Sequence, residues 1–191
     1  MKIITLPYSE FESACLGLAQ KAVGDGFHPD IVVGIASGGD FVAECICRSI
    51  TPHPRRFSVS LHRPSSKTKK GILASVLKHL PRPVCDLLRI AESRLLSFTD
   101  RFRSPSLPQT AVPSALADAV TSGLSRIMIV DDAVDSGHTL LAVAKMLRDI
   151  FPEANIHTAA LTVTRRNPLI TPDYTLFPTR TIVRFPWAPD A

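Results

Sequence analysis

The feature that most limits how this chain can fold is a series of short apolar runs, each bounded by glycine, proline or polar residues. The runs occupy residues 31–35, 57–61, 126–130, 156–163 and 181–185. Runs of this length that are rich in isoleucine and valine predict β-strands. The runs at 31–35 and 126–130 show little polar alternation, which indicates strands buried on both faces of a sheet.

Helical patterns separate these runs. Ser9 and Glu12 form a capping-box pattern that predicts the start of a first helix, and Gly24 predicts its end. Three more helices are predicted: one follows the small-residue loop 36–39, and the others cover 114–121 and 138–150. Strands that alternate with helices predict an α/β fold with a mainly parallel sheet flanked by helices.

Residues 62–113 interrupt this alternation. The pattern of this segment predicts two amphipathic helices, separated by Pro81 and Pro83, and then a proline- and serine-rich loop. A chain of 191 residues is an ordinary size for one compact domain. We therefore expect a single domain over residues 1–191, with a helical insertion at about 62–113.

Composition excludes several other classes of protein. No window approaches the roughly 20 apolar residues of a membrane span, and the first residues lack the pattern of a signal peptide. We expect a cytoplasmic protein with no membrane partner. The scattered cysteines (Cys15, Cys45, Cys47 and Cys85) match no zinc pattern, which favours ordinary buried thiols over a metal site.

Charge is distributed unevenly along the chain. Residues 48–103 hold 13 of the 22 Lys and Arg residues but only three of the 17 acidic residues, so this segment carries +10 and the rest carries −5. A basic segment on an acidic body indicates an anionic partner, either phosphate groups or nucleic acid. A solvated surface lobe is the alternative interpretation.

The most informative motif follows the predicted strand at 126–130. Two adjacent carboxylates, Asp131 and Asp132, come first, and a third acid begins the run Asp135-Ser136-Gly137-His138-Thr139 at the mouth of a predicted helix. Ligands of parallel α/β sheets bind where strand ends meet helix N-termini. The backbone N–H groups and hydroxyls of such a turn can cradle a phosphate, and carboxylates nearby can accept hydrogen bonds from sugar hydroxyls or face a hydrated Mg²⁺.

This motif closely resembles the signature of type I phosphoribosyltransferases, which bind 5-phosphoribosyl-1-pyrophosphate (PRPP). The resemblance implies the type I phosphoribosyltransferase fold. It also implies that Asp131 and Asp132 hold the ribose hydroxyls. The residues that would wrap the 5-phosphate are Asp135, Ser136, Gly137, His138 and Thr139.

A second stretch, residues 32–43, is similar to the pyrophosphate loop of that family. The loop residues are Ala36, Ser37, Gly38 and Gly39. Family members often carry a basic residue where Ser37 or Gly38 stands, so charge for the diphosphate is expected from elsewhere. Arg63, just after a predicted strand, is a candidate for the pyrophosphate or for a lid over it.

A third stretch, residues 181–187, is similar to the aromatic C-terminal hood of purine-type members and implies that Trp187 stacks on the base. A tryptophan that covers a core edge is the alternative. Members that use 6-oxopurines carry an acid at the position of Asp135, which makes it the candidate catalytic acid/base toward purine N7. They often have a lysine near Arg165, so Arg165 is a base-binding candidate and the identity of the base stays open.

Taken together, the resemblance implies a glycosyltransferase that moves ribose 5-phosphate from PRPP to a nitrogenous base, with a 6-oxopurine favoured, and releases pyrophosphate. It also implies a Mg²⁺ cofactor, held near Asp131 and Asp132 through water, and a homodimer. The alternative is a non-catalytic PRPP-sensing regulator that binds nucleic acid through the basic middle segment.

Overall fold

The computed structural model describes residues 2–60 and 112–188. The strands are β1 (Lys2–Thr5), β2 (Ile31–Ile35), β3 (Arg55–Val59), β4 (Arg126–Val134), β5 (Asn155–Val163), β6 (Tyr174–Thr175) and β7 (Thr181–Arg184). The helices are α1 (Tyr8–Gly24), α2 (Gly38–Ser49), α3 (Ser114–Thr121) and α4 (His138–Ile150). The predicted insertion at 62–113 lies outside the described residues except for its last two positions.

Five strands form one parallel sheet in the order β3-β2-β4-β5-β6. A second, two-stranded parallel sheet pairs β1 with β7 and so joins the two ends of the described chain. The predicted α/β fold with a mainly parallel sheet is confirmed.

Alternate residues of each central strand supply two separate cores. Val32 and Met128 face the layer that contains α1 and α2, whereas Ile31 and Ile127 face the layer that contains α3 and α4. All five residues of β2 are buried. This burial on both faces explains why the sequence of β2 has no polar alternation.

The start of α1 differs from the sequence prediction. The helix begins at Tyr8 with Pro7 at the N-cap position, and no side chain caps it. The Pro7 carbonyl instead accepts hydrogen bonds from the N–H groups of Glu10 and Phe11. The predicted capping box at Ser9 is wrong because Ser9 already lies inside the first turn of α1.

Strand β4 is longer than predicted, and this extension places the acidic motif. Its first half pairs with β2 as far as Val130, opposite Gly34. Its second half continues beside β5 alone, with Asp131 opposite Ala160 and Val134 opposite Val163. Asp131 and Asp132 therefore lie on extended backbone just beyond the last residue pair between β2 and β4.

Two short elements were not predicted, β1 and β6. Strand β6 has only two residues, and β1 pairs with a strand at the other end of the chain. Within the described residues, none of the helices has the length and apolar character that a membrane span requires.

An ion pair fastens the starts of β2 and β4. Arg126 donates from its backbone N and from Nε to Asp30 Oδ2, each at 3.0 Å, and from Nη2 to Asp30 Oδ1. The side-chain hydrogen bond from Arg126 holds the pKa of Asp30 below its usual range.

Replacing Asp30 with asparagine is expected to lower the free energy of unfolding by about 1 kcal/mol at pH 7, because one hydrogen-bonded, partly exposed charge pair is lost. The depressed pKa means that this contribution is complete above the unfolded-state pKa of about 3.9 and disappears as the pH falls through the folded-state pKa. Urea unfolding at pH 7 and below pH 4 tests this. Asp118→Asn, at an exposed position on α3, is the control and should behave like the unchanged protein at both pH values.

Candidate active site at the ends of β2 and β4

The turn between β2 and α2 lies directly against β4. A Cβ atom placed on Gly38 would come within 2.1 Å of Asp132 Oδ2, and one placed on Gly39 within 2.5 Å of the Val130 carbonyl oxygen. The Ala36–Ser37 peptide bond is cis. Residues 36 and 37 are exposed, whereas both glycines are buried. The absence of side chains at Gly38 and Gly39 therefore lets the first turn of α2 pack onto the acidic end of β4.

The adjacent residues Asp131 and Asp132 are both partly buried. Asp131 Oδ1 accepts the N–H of Asp132, and Asp132 Oδ1 accepts the N–H of Ala133, both at 2.9 Å. Burial raises the pKa of Asp132, and the hydrogen bond from the Ala133 N–H partly offsets this effect. Each carboxylate is therefore held by a backbone N–H, and both residues remain partly exposed.

The third acid and its loop lead into α4. Gly137 is the N-cap residue and has a φ of 83°, a left-handed conformation that favours glycine. A Cβ there would lie 3.0 Å from the backbone N of Ile170 and 3.1 Å from that of Leu169. The Leu169 N–H also donates to the Ser136 carbonyl at 2.9 Å. The segment around Leu169 therefore packs against the loop. The first turn of α4 provides backbone N–H groups that can bind an anion.

Asp135 is held by two residues at the end of β5. Thr164 Oγ1 donates to Asp135 Oδ1 at 2.6 Å. Arg165 donates from Nε to Oδ1 at 3.1 Å and from Nη2 to Oδ2 at 2.8 Å. The ion pair is bidentate, which fixes the plane of the carboxylate. The Asp135 side chain is still 37% exposed, so another group can approach it.

Trp187 lies in the turn after β7, within a cluster of aromatic rings. Phe41 and Phe185 stack on its indole ring with centroids at 4.8 and 5.0 Å, and Phe11 makes an edge contact at 5.2 Å. The C-terminal turn therefore packs against α1 and α2 through Phe11 and Phe41.

The structure thus brings predicted site residues together at one sheet edge. Gly38 meets Asp132, Gly39 meets the backbone of Val130 and Asp131, and Asp135 meets Arg165. Arg63 lies outside the described residues. In the described part of the chain, no three or more His, Cys, Asp or Glu side chains form a group that could hold a metal ion.

Sequence reasoning missed the partner Thr164 and the supporting segment at Leu169 and Ile170. Thr164 directly follows β5, the strand beside β4, so a correct strand order would have placed it near Asp135. No local pattern marks the Leu169 segment, since its role depends on a backbone contact with Gly137.

Solved structures with this fold share little sequence with the chain. A purine phosphoribosyltransferase from Pyrococcus horikoshii has a TM-score of 0.57 and 18% identity, covering 98% of this chain and 95% of its own. The xanthine-guanine-hypoxanthine phosphoribosyltransferase of Helicobacter pylori has a TM-score of 0.59 and 15% identity, covering 97% and 93%. A hypothetical protein from Neisseria gonorrhoeae with bound ppGpp has a TM-score of 0.62 and 14% identity, covering 97% and 89%.

At such identities the neighbours establish the fold alone. Among curated protein sequences no relative matches the chain. The family model described as a phosphoribosyl transferase domain, however, matches residues 7–190. That range contains the β2–α2 turn, the acidic end of β4 and the loop into α4. The chain therefore belongs to the phosphoribosyl transferase domain family.

Proposed function

We propose that the chain transfers ribose 5-phosphate from PRPP to a ring nitrogen of a 6-oxopurine and releases pyrophosphate. The observation that carries this proposal is the contact between Gly38 and the carboxylate of Asp132. It joins the two stretches that resemble PRPP-binding motifs, although they lie on different strands. A pentosyltransferase needs them adjacent, since the leaving diphosphate and the ribose hydroxyls belong to one sugar.

The roles follow from the chemistry of each group. Asp131 and Asp132 accept hydrogen bonds from the ribose hydroxyls. The N-terminal turn of α4, with Ser136 and Thr139, holds the 5-phosphate, and the turn between β2 and α2 holds the pyrophosphate. Binding both ends of PRPP on rigid elements keeps C1 in line for attack and stabilises the charge on the leaving group.

The residues present fit a Mg²⁺ ion that arrives with PRPP. Asp131 and Asp132 offer oxygen donors, and Mg²⁺ is commonly held by one or two carboxylates together with substrate phosphates and water. When bound, Mg²⁺ would neutralise part of the diphosphate charge as it leaves.

The choice of a 6-oxopurine depends on Asp135. Its carboxylate is oriented by Arg165 and Thr164 and is accessible, which suits a group that exchanges a proton with a ring nitrogen. Two of the solved structures with this fold are purine phosphoribosyltransferases by name. In this proposal Trp187 and Arg165 lie on the base side of the site, and Arg165 acts mainly by orienting Asp135.

The test is pyrophosphate release from PRPP and Mg²⁺ with guanine, hypoxanthine, xanthine, adenine, orotate or uracil, one at a time. We expect turnover with at least one 6-oxopurine and none with orotate or uracil. Reactions that lack the base give the background rate of PRPP hydrolysis.

Two other outcomes have distinct meanings. If PRPP raises the melting temperature but no base supports turnover, the transferase proposal fails and a PRPP sensor remains. If PRPP neither stabilises the protein nor reacts, the PRPP site itself is wrong.

A further inference from the structure

We propose that Asp40 is a positioning residue for the turn 36–39, which it ties to β3 through a hydrogen bond from Ser58. The inference rests on the proposed function, since this turn matters to catalysis only if it holds the pyrophosphate of PRPP. Asp40 lies in the first turn of α2 and has the same sign of charge as a diphosphate, so direct contact between the two would be repulsive. A role other than binding the anion is therefore needed to explain its place.

Two hydrogen bonds attach the turn to the end of β3. At the start of the turn, the Ala36 N–H donates to the Val59 carbonyl at 3.0 Å. Just after its end, Asp40 Oδ2 accepts from Ser58 Oγ at 2.9 Å. Ser58 and Val59 are the last two residues of β3, so both bonds lead to the same short piece of strand. The glycines of the turn have no side chains that could fix it. The bond between Asp40 and Ser58 therefore serves as its side-chain anchor.

The carboxylate of Asp40 is turned toward β2. A Cβ atom placed on Gly34 would come within 2.7 Å of Asp40 Oδ1, so the lack of a side chain at Gly34 makes room for this oxygen. Oδ1 is buried there, and within the part of the chain that the structure describes it has no hydrogen-bond partner. A buried acceptor without a donor costs stability. The stability of the fold alone therefore does not explain why the carboxylate lies here.

This placement keeps Asp40 away from the groups that an anion needs. An acid in the first turn of a helix often accepts hydrogen bonds from the backbone N–H groups at the helix start. Asp40 instead accepts from Ser58 with one oxygen and has the other against Gly34. The N–H groups in the first turn of α2 are thus left to the pyrophosphate.

Ser58→Ala and Asp40→Ala each remove the anchor. We expect each to lower the affinity for pyrophosphate, titrated calorimetrically in the presence of Mg²⁺, by about tenfold, because a hydrogen bond to a charged group is lost. The affinity for ribose 5-phosphate should stay nearly unchanged, since the acids of β4 and the first turn of α4 bind that ligand in the proposed function. The double variant should lose little more affinity for pyrophosphate than either single one, because both substitutions remove the same bond.

Asp40→Asn separates the anchor from the charge. An acid in the first turn also stabilises a helix through the helix dipole. Asparagine lacks this charge, but its carbonyl oxygen can still accept from Ser58 Oγ. We expect Asp40→Asn to bind pyrophosphate at least as tightly as the unchanged protein, because the anchor stays and a repelling charge is gone. If Asp40→Asn loses as much affinity as Asp40→Ala, the charge and not the anchor is responsible, and the proposal is wrong.

Ser122→Ala is the matched control. It removes a 2.7 Å hydrogen bond from a serine hydroxyl to the Ala119 carbonyl, at a position before the start of β4 and so away from its acidic end. We expect this variant to bind both ligands as the unchanged protein does. Equal losses of affinity for pyrophosphate and for ribose 5-phosphate in Ser58→Ala, with a lower melting temperature, would show general loosening of the fold and would overturn the positioning role.

The same titrations distinguish this inference from the proposed function. If the unchanged protein binds pyrophosphate and Ser58→Ala binds it equally well, the positioning role is wrong and the proposed function stands. If the unchanged protein binds neither pyrophosphate nor PRPP, the proposed function fails, and the positioning role fails with it.

Discussion

Gly38→Ala is expected to reduce kcat/KM for PRPP by roughly two orders of magnitude, the loss that follows when one or two hydrogen bonds to a charged group are broken. The new Cβ would lie 2.1 Å from Oδ2 and 2.3 Å from Cγ of Asp132. Either the carboxylate rotates away from its donors or the first turn of α2 moves off β4. Both movements separate the diphosphate site from the ribose site.

Stability should fall as well, by about 1–3 kcal/mol, since an extra methyl group in a closely packed contact forces strain. Gly24→Ala is the matched control, because Gly24 ends α1 and a Cβ there meets no atom within 4 Å. This control should keep full activity and unchanged or slightly higher stability. Steady-state kinetics and thermal unfolding of both variants provide the comparison.

The double variant Gly38→Ala, Asp132→Ala separates packing from chemistry. Removing the carboxylate makes room for the new methyl group, so stability should recover relative to Gly38→Ala while PRPP turnover stays low. Gly38→Ala with the kinetic constants of the unchanged protein would contradict the proposed contact between the pyrophosphate loop and Asp132.

The positions of β2 and of the first half of β4 were predictable because nearly all of these residues are buried on both faces. Such strands are nearly uniform in apolar character, and breakers bound them on each side. The acidic motif was predictable for the same reason, since it directly follows the apolar part of β4. Its place at a helix N-terminus follows from Gly137 and the amphipathic pattern of α4.

The contacts between distant segments were not predictable from local patterns. Arg165 meets Asp135 across 30 residues of sequence, and this depends on β5 lying beside β4, which periodicity does not specify. The end of β4 was placed too early because its last residues pair with β5 alone and include acids that propensity disfavours in strands. The sequence predicted a C-terminal hood at Trp187, but the stacking of its ring on Phe41 of α2 depends on the pairing of β7 with β1.

The Asp135–Arg165 pair leads to the second large effect. Asp135→Asn is expected to lower kcat by about 10²–10³, within the range for the loss of a general acid/base. Asparagine keeps the size of the side chain, and its carbonyl oxygen can still accept from Thr164 and from Arg165 Nε. The amide nitrogen, however, faces Arg165 Nη2, and proton exchange with a ring nitrogen is lost. Single-turnover rates with the preferred base measure the effect.

Two further variants show whether Asp135 or its partners carry the effect. Thr164→Val removes the 2.6 Å hydrogen bond to Asp135 but keeps the shape of the side chain. It should lower kcat by about tenfold or less. Arg165→Leu leaves the Asp135 carboxylate without its bidentate partner. We therefore expect a loss of kcat between those of Thr164→Val and Asp135→Asn. If Arg165 acts by orienting Asp135, adding Arg165→Leu to Asp135→Asn should cause little further loss in kcat. Losses that multiply would mean that Arg165 acts independently of Asp135, by direct contact with the base or a phosphate.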